Sequence, residues 1–291
     1  MELTLYGRPN PRQASTAAHT AYGGARGGGK SWAMRRKLVL LCLGYKGLNC
    51  LLLRRTLPEL RENHVIPLLK ELGDAAAYNA TERVFRFPNG SRLKLGYCDG
   101  ANDVYQYQGQ EYDVIGMEEA THFTEEQMRF LTTCNRTTRK DFKPRMYYTC
   151  NPGNVGHGWV KRLFIDRRME DGERAEDYAF IPASIYDNEI LLSANPEYLR
   201  ALESLPEDMR RAHLYGDWDA MAGQYFREFS RQRHVIAPFE LPRWWRRFRS
   251  MDWGITTHAA CFGTPWTATG AYTHTASYTS GSGGRIRWRR A

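Results

Sequence analysis

Gly23-Gly24-Ala25-Arg26-Gly27-Gly28-Gly29-Lys30-Ser31 is the stretch on which the fold turns. From Gly24 it reads G-x-x-x-x-G-K-S, the spelling of a phosphate-binding loop. Glycines let consecutive backbone N–H groups turn inward and cradle phosphate oxygens. Lys30 has the length to reach β- and γ-phosphates, and the Ser31 hydroxyl is the type of group that holds Mg²⁺. The helix expected from Ser31 points its positive dipole end at the same anion. The expected nucleotide set is therefore Gly24, Ala25, Arg26, Gly27, Gly28, Gly29, Lys30 and Ser31, with ATP and Mg²⁺ as ligands. Gln13, standing before the loop, is of the type that reads adenine by two hydrogen bonds.

Outward from the loop, strands and helices alternate. His19–Tyr22 is the short strand leading in, preceded by a short helix over 13–18. Ser31–Leu43 is a helix with Leu38, Leu41 and Cys42 at core-facing spacing and Gly44 as its stop. Cys50–Arg54 is a continuous apolar run that suits a buried parallel strand. Pro58–Leu72 reads as a helix bent at Pro67. Residues 83–95 read as a hairpin about Pro88-Asn89-Gly90. Tyr112–Met117 is a second buried strand. Thr124 and Gln127 have capping-box spacing for a helix to about Thr133. Arg145–Thr149 is a strand, Trp159–Arg168 a helix and Phe180–Ile185 a last strand. Pro196–Leu205 and Pro206–Tyr215 are short helices with proline in the first turn. Such alternation predicts an α/β domain built on a mostly parallel central sheet flanked by helices.

In parallel sheets ligands gather at the carboxyl ends of strands. The glycine loop, Glu118-Glu119 and Asn151 all fall at such ends. A hydrolase of this kind needs one acid for the magnesium shell and a second to activate water. Glu118 is the expected magnesium acid and Glu119 the expected base. Arg26 is placed to contact the γ-phosphate from its own subunit. Arg136, just after a helix, is a candidate arginine finger in cis or in trans, and Arg139 is its rival. Asn151, or Thr149 beside it, is a candidate γ-phosphate sensor and coupling residue.

The net charge of +9 is unevenly spread. Residues 231–291 hold ten Arg against two acids, Glu240 and Asp252, which leaves residues 1–230 nearly neutral. Any nucleic-acid site in the N-terminal part must then be a local patch. The six cysteines are scattered with no C-x-x-C pair, which argues against a zinc site or a disulfide frame and for small buried hydrophobes in a reducing compartment. No run of about 18 apolar residues exists, and the first residues lack a signal-peptide core. Trp218, Trp244, Trp245 and Trp253, with Phe226, Phe229 and Phe239, are expected to pack between domains. The eight histidines show no metal-ligand spacing.

These residues together resemble the large terminase subunit of tailed bacteriophages. The resemblance runs from about Pro9 to Trp253. It includes the Pro-Arg-Gln segment, the glycine loop, Leu53-Arg54-Arg55-Thr56, Tyr107-Gln108-Gly109-Gln110-Glu111-Tyr112 and Glu118-Glu119-Ala120. It continues with Thr149-Cys150-Asn151-Pro152-Gly153-Asn154, Gly156-His157-Gly158-Trp159-Val160-Lys161, Asp187-Asn188, Pro196-Glu197-Tyr198-Leu199, Gly216-Asp217-Trp218-Asp219 and Ser250-Met251-Asp252-Trp253-Gly254.

The resemblance implies a ring of subunits docked on the viral portal, in the host bacterial cytoplasm, hydrolysing ATP to drive double-stranded DNA into a prohead. Its implied partners are DNA, the portal protein and the small terminase subunit, with no membrane. The implied layout is an ATPase domain over 1–220 with a small lid subdomain at about 180–218, a linker over 221–249, and the start of a ribonuclease-H-like nuclease domain over 250–291. Two readings compete with it. One is a helicase-like P-loop ATPase, which has no need of Asp252-Trp253-Gly254. The other is a non-enzymatic prophage remnant that binds nucleotide or DNA without turnover.

The chain departs from that family twice. Glu118 stands where the family more often has Asp, and Glu can hold the same magnesium shell. More seriously, Asp252 matches the first nuclease metal acid, yet no Asp or Glu follows it. Two-metal cleavage needs several carboxylates around the ions. The stretch from Gly263 onward is rich in Thr, Ser, Gly and Tyr. Read one frame over with suitable codons, Thr267–Gly281 encodes residues like those the family places after its first nuclease strand. The tail is thus expected to be a frameshift product and the nuclease lost or split.

Overall fold

A computed structural model of the chain describes residues 17–220, 244, 246–252, 259–266 and 276–280. The chain divides into two compact units, Met1–Glu228 and Phe229–Ala291.

The first unit is built on an eight-stranded sheet: β1 His19–Gly24, β2 Asn49–Arg54, β3 Ala77–Asn79, β4 Val84–Arg86, β5 Arg92–Tyr97, β6 Val114–Met117, β7 Arg145–Cys150 and β8 Tyr178–Ala183. Their order across the sheet is β3-β4-β5-β2-β6-β7-β1-β8. Every pairing from β5 to β8 is parallel, and only β3–β4 and β4–β5 are antiparallel. The strand of the loop, β1, and the strand of the acids, β6, both pair with β7, so their carboxyl ends open on one edge of the sheet.

The helices are α1 Lys30–Gly44, α2 Leu57–Leu60, α3 Ile66–Leu72, α4 Glu125–Cys134, α5 His157–Val160, α6 Glu189–Ala194, α7 Pro196–Glu203 and α8 Glu207–His213. In β2 the side-chain period of two divides the core. Cys50 and Leu52 pack with Leu38 and Cys42 of α1, and Leu51 and Leu53 pack with Met128 and Leu131 of α4. Burial on both faces explains why this strand reads as an unbroken apolar run. The predicted capping box of α4 forms: Gln127 N–H donates to Thr124 Oγ1 at 3.2 Å and Thr124 N–H to Gln127 Oε1 at 3.0 Å. The five cysteines with described side chains are free and buried.

The bend expected at Pro67 takes a specific form. Between α2 and α3 lies a π-turn, Arg61–Val65. Pro67 has no N–H for the Asn63 carbonyl four residues back, and Arg35 Nη1 donates to that oxygen instead, at 2.7 Å. A second π-turn, Lys161–Ile165, ends the helix expected over Trp159–Arg168, which begins two residues earlier, at His157. Of the helix expected over 13–18, residues 13–16 lie outside the described residues and 17–18 are irregular.

Residues 185–214 form a small helical cluster with its own core of Ile185, Leu202 and Leu214. Trp218, expected between domains, is 6% exposed and joins the main core beside His157 and Phe180.

In the second unit, β9 Arg246–Asp252, β10 Ala259–Trp266 and β11 Ala276–Ser280 form an antiparallel sheet in the order β11-β10-β9. Asp252 ends β9, in register with Ala260. Trp245, Trp253, Phe226, Phe229 and Phe239 lie outside the described residues.

Among the described residues no helix is long and apolar enough to cross a membrane.

Candidate active site

The glycine loop joins the end of β1 to the start of α1. Gly27 and Gly29 have φ of +78° and +71°, the left-handed region that side chains disfavour, and Gly29 is the residue preceding α1. The loop is tied down from several directions. Ala25 N–H donates to the Ala183 carbonyl at 3.1 Å and Arg26 N–H to the His213 carbonyl at 2.7 Å. Asn188 Nδ2 donates to the Gly27 carbonyl and the Tyr22 hydroxyl to the Gly28 carbonyl, each at 2.7 Å. Ala183 ends β8, Asn188 caps α6 and His213 ends α8, so the small helical cluster grips the loop directly.

Lys30 is buried, and its Nζ donates to the Ala25 carbonyl at 2.5 Å. Burial lowers its pKa, and Glu119, Cys150 and Glu118 oppose that shift. The Arg26 side chain is exposed on the loop. The His213 imidazole has its pKa lowered by burial, then by Arg26 and Lys30, with Glu119 opposing.

The two acids leave β6 in succession but into different surroundings. Glu118 is fully buried. Arg54 Nη1, from the carboxyl end of β2, donates to its Oε2 at 2.9 Å, and His64 Nε2, from the π-turn, bonds the same oxygen. Its Oε1 is buried with no hydrogen-bond partner. Burial alone would raise the Glu118 carboxyl. His64, then Arg54 and the Ser31 hydroxyl, outweigh it and hold the group at about 2, so Glu118 is an anion at neutral pH.

Glu119 takes a left-handed backbone, φ 51° and ψ 56°, which costs a non-glycine residue on the order of 1 kcal/mol. The tip of β7 holds it there. Its N–H donates to Thr149 Oγ1 at 3.0 Å, and Asn151 Nδ2 donates to Oε1 and Oε2 at 3.0 and 2.9 Å. Thr149 and Asn151, expected to face a phosphate, are thus seen gripping the second acid.

Loop, Ser31, Glu118, Glu119, Thr149 and Asn151 therefore share one edge of the sheet. The two finger candidates do not. Arg136 follows α4 and pairs with Glu111 at 2.9 Å. Its neighbour Asn135 bridges to Tyr112, at the amino end of β6. Arg139 pairs with Asp141 at 2.7 Å and donates to the Lys46 carbonyl just before β2. Both sit at the edge opposite Glu118, because the chain must run back beneath the sheet before it enters β7. By that topology neither arginine lies beside Glu118 of its own chain. Gln13 lies outside the described residues, and Asp252 belongs to the second unit.

Sequence reasoning passed over His64, Arg54, Asn188 and His213 as site residues. Arg54 carried a usable signal, a charged residue closing a buried strand beside the strand that ends in the acids. His64 carried none.

A parallel sheet with a glycine loop between its first strand and helix, and acids at the end of a neighbouring strand, defines a P-loop NTPase fold. Residues 21–233 match the family model for the N-terminal part of the terminase large subunit, T4likevirus-type, and the chain belongs to that family. The structure of the large terminase from a thermophilic bacteriophage in complex with ADP is similar, with a TM-score of 0.59 at 16% identity, over 95% of this chain and 66% of that one. The same phage protein in complex with ATP-gamma-S matches with a TM-score of 0.57, and in another crystal form with 0.60, both at 15% identity and the same coverage. The chain thus spans 66% of the length of these relatives. No match was found among curated proteins.

Proposed function

We propose that the chain is the ATP-hydrolysing subunit of a phage DNA-packaging motor. The observation that carries this reading is the meeting of the glycine loop, Glu118 and Glu119 at one sheet edge in a chain of the terminase family. The thermophilic phage's terminase in complex with ADP and with ATP-gamma-S supports adenine nucleotide as the ligand. Family membership supports double-stranded DNA, the portal protein, the small terminase subunit and a ring of copies as partners, in the host cytoplasm.

In this mechanism the loop N–H groups and Lys30 hold the β- and γ-phosphates, and the anion offsets the cost of burying the ammonium. The residues present fit a magnesium ion. Ser31 and Glu118 are hard oxygen donors, and Glu118 keeps a buried carboxylate oxygen without a partner. The chemistry such an ion supplies is neutralisation of charge on the phosphate oxygens. Glu119, held by Thr149 and Asn151, takes the proton of the attacking water. Arg26 balances the γ-phosphate from the same chain, and Arg136 or Arg139 serves a neighbouring subunit in trans. Asn151 and Thr149 tie the base to the strand tip, where a phosphate-dependent shift would be felt. Gln13 reads the adenine.

We assign residues 1–220 to the motor domain, with 180–218 as its lid, 221–249 to a linker, and 250–291 to the start of a nuclease-type segment carrying Asp252.

The test is ATP hydrolysis by the purified chain, alone and with DNA and portal, with Lys30→Ala as control. Turnover in the wild type that the variant lacks supports the reading. Equal silence of both under all conditions overturns it in favour of a non-hydrolysing remnant. Turnover stimulated by DNA but indifferent to portal favours the helicase-like alternative.

A further inference from the structure

A fully buried carboxylate costs several kcal/mol unless its oxygens are paired. Glu118 meets that requirement asymmetrically. Its two basic partners, His64 Nε2 and Arg54 Nη1, converge on Oε2, while Oε1 is sealed from solvent with no partner. Neither donor is there by default. Arg54 is also held by Glu59, its Nε donating to Glu59 Oε2 at 3.2 Å, and Glu59 is fixed in the first turn of α2 by the Thr56 cap. His64 depends on the π-turn. Each residue advances a helix by about 100°, so the residue added by the bulge sets which way the preceding turn faces. The bulge in turn rests on Pro67 and on Arg35, which takes the orphaned Asn63 carbonyl.

We propose that His64 and Arg54 are positioning residues that hold Glu118 by Oε2 alone and present Oε1, beside Ser31, to the magnesium–nucleotide complex. This rests on the nucleotide-binding reading above. Partners behind a metal-facing carboxylate fix its orientation, and their loss typically costs about tenfold to a hundredfold in metal affinity. His64 and Arg54 need not touch the nucleotide to act, so their loss should weaken only the part of binding that goes through the metal.

The experiment titrates the full chain with a fluorescent ADP analogue, once in EDTA and once in MgCl₂, and takes the ratio of the two affinities. The proteins are wild type, His64→Leu, His64→Gln and Arg54→Met, each checked for cooperative melting without nucleotide. We expect magnesium to tighten binding by the wild type, and this gain to fall about tenfold in His64→Leu and Arg54→Met. Affinity in EDTA should change less than about twofold, and His64→Gln, which keeps an N–H donor, should recover most of the gain. Should His64→Leu not fold, Arg54→Met against His64→Gln carries the same comparison. A folded variant lacking either donor that keeps the full magnesium gain overturns the proposal and leaves the nucleotide reading standing. Equal loss in EDTA and magnesium also overturns it, as a packing effect. A wild type that binds no analogue in either buffer overturns both.

Discussion

The Asn151 side-chain amide donates to both carboxylate oxygens of Glu119, at 3.0 and 2.9 Å, across the gap between the tips of β7 and β6. A residue in the left-handed region needs such support, because its own backbone preference would carry the side chain elsewhere. Asn151→Ala is therefore expected to lower ATP turnover roughly tenfold to a hundredfold, the cost of misplacing a reacting group, with a smaller change in KM. Asn151→Asp, which sets a like charge against Glu119, should be worse. Steady-state hydrolysis checks this, and wild-type turnover in Asn151→Ala would remove Asn151 from the mechanism.

Glu119→Gln keeps the shape and the Thr149 contact to its backbone but removes the proposed base. Nucleotide binding should persist while hydrolysis falls by roughly 10²–10⁴-fold. Binding and turnover measured on one preparation decide it. Unchanged turnover would assign the base to another group.

Gly216→Ala tests the grip on the loop from behind. Gly216 has φ of +67°, and a Cβ there would lie 2.7 Å from Ala25 N and 2.9 Å from Gly24 C and Cα. Those are backbone atoms that cannot rotate aside. The variant should lose about 1–3 kcal/mol of stability and bind nucleotide more weakly. Thermal melting and an affinity titration check the pair, and a variant equal to wild type in both would show that the loop yields at little cost.

His19 gives stability a pH window. Its ring stacks on Tyr178 with centroids 4.8 Å apart, and its Nδ1 lies 2.8 Å from the Tyr148 hydroxyl. Burial pulls its pKa from 6.5 to about 4 against the opposing charges of Asp177 and Glu173. Between those values the unfolded chain binds a proton that the folded chain refuses. Stability is therefore lost as pH falls from 6.5 toward 4, by up to about 3 kcal/mol from this group. Denaturant unfolding at several pH values should show a shallower slope for His19→Phe in that window. Parallel slopes would mean that His19 is protonated in the folded state.

The loop, the helix after it, the buried strands and the capping box were legible because each is a local matter. A spacing of glycines, an apolar run or a Thr-x-x-Gln box dictates its own backbone whatever lies far away. The edge hosting the site followed from one further rule, that parallel strands present ligands at their carboxyl ends. The helix bend was visible as Pro67. Its form, a π-turn capped by Arg35, needed a partner from another helix.

What the sequence determined by itself is the P-loop fold and the roster of groups at its edge: Lys30, Ser31, Glu118, Glu119, Thr149 and Asn151. What only the tertiary structure decided is how those groups are held. Asn151 meets Glu119 from 32 residues away, and His64 and Arg54 meet Glu118 from 54 and 64 away. The crossover into β7 sent Arg136 and Arg139 to the far edge, although both follow Glu119 closely in the chain. The physical reason is common to all of these. Local propensity sets the conformation of neighbouring residues, while the pairing of a buried charge is set by whichever donors strand order and helix register bring within hydrogen-bond reach.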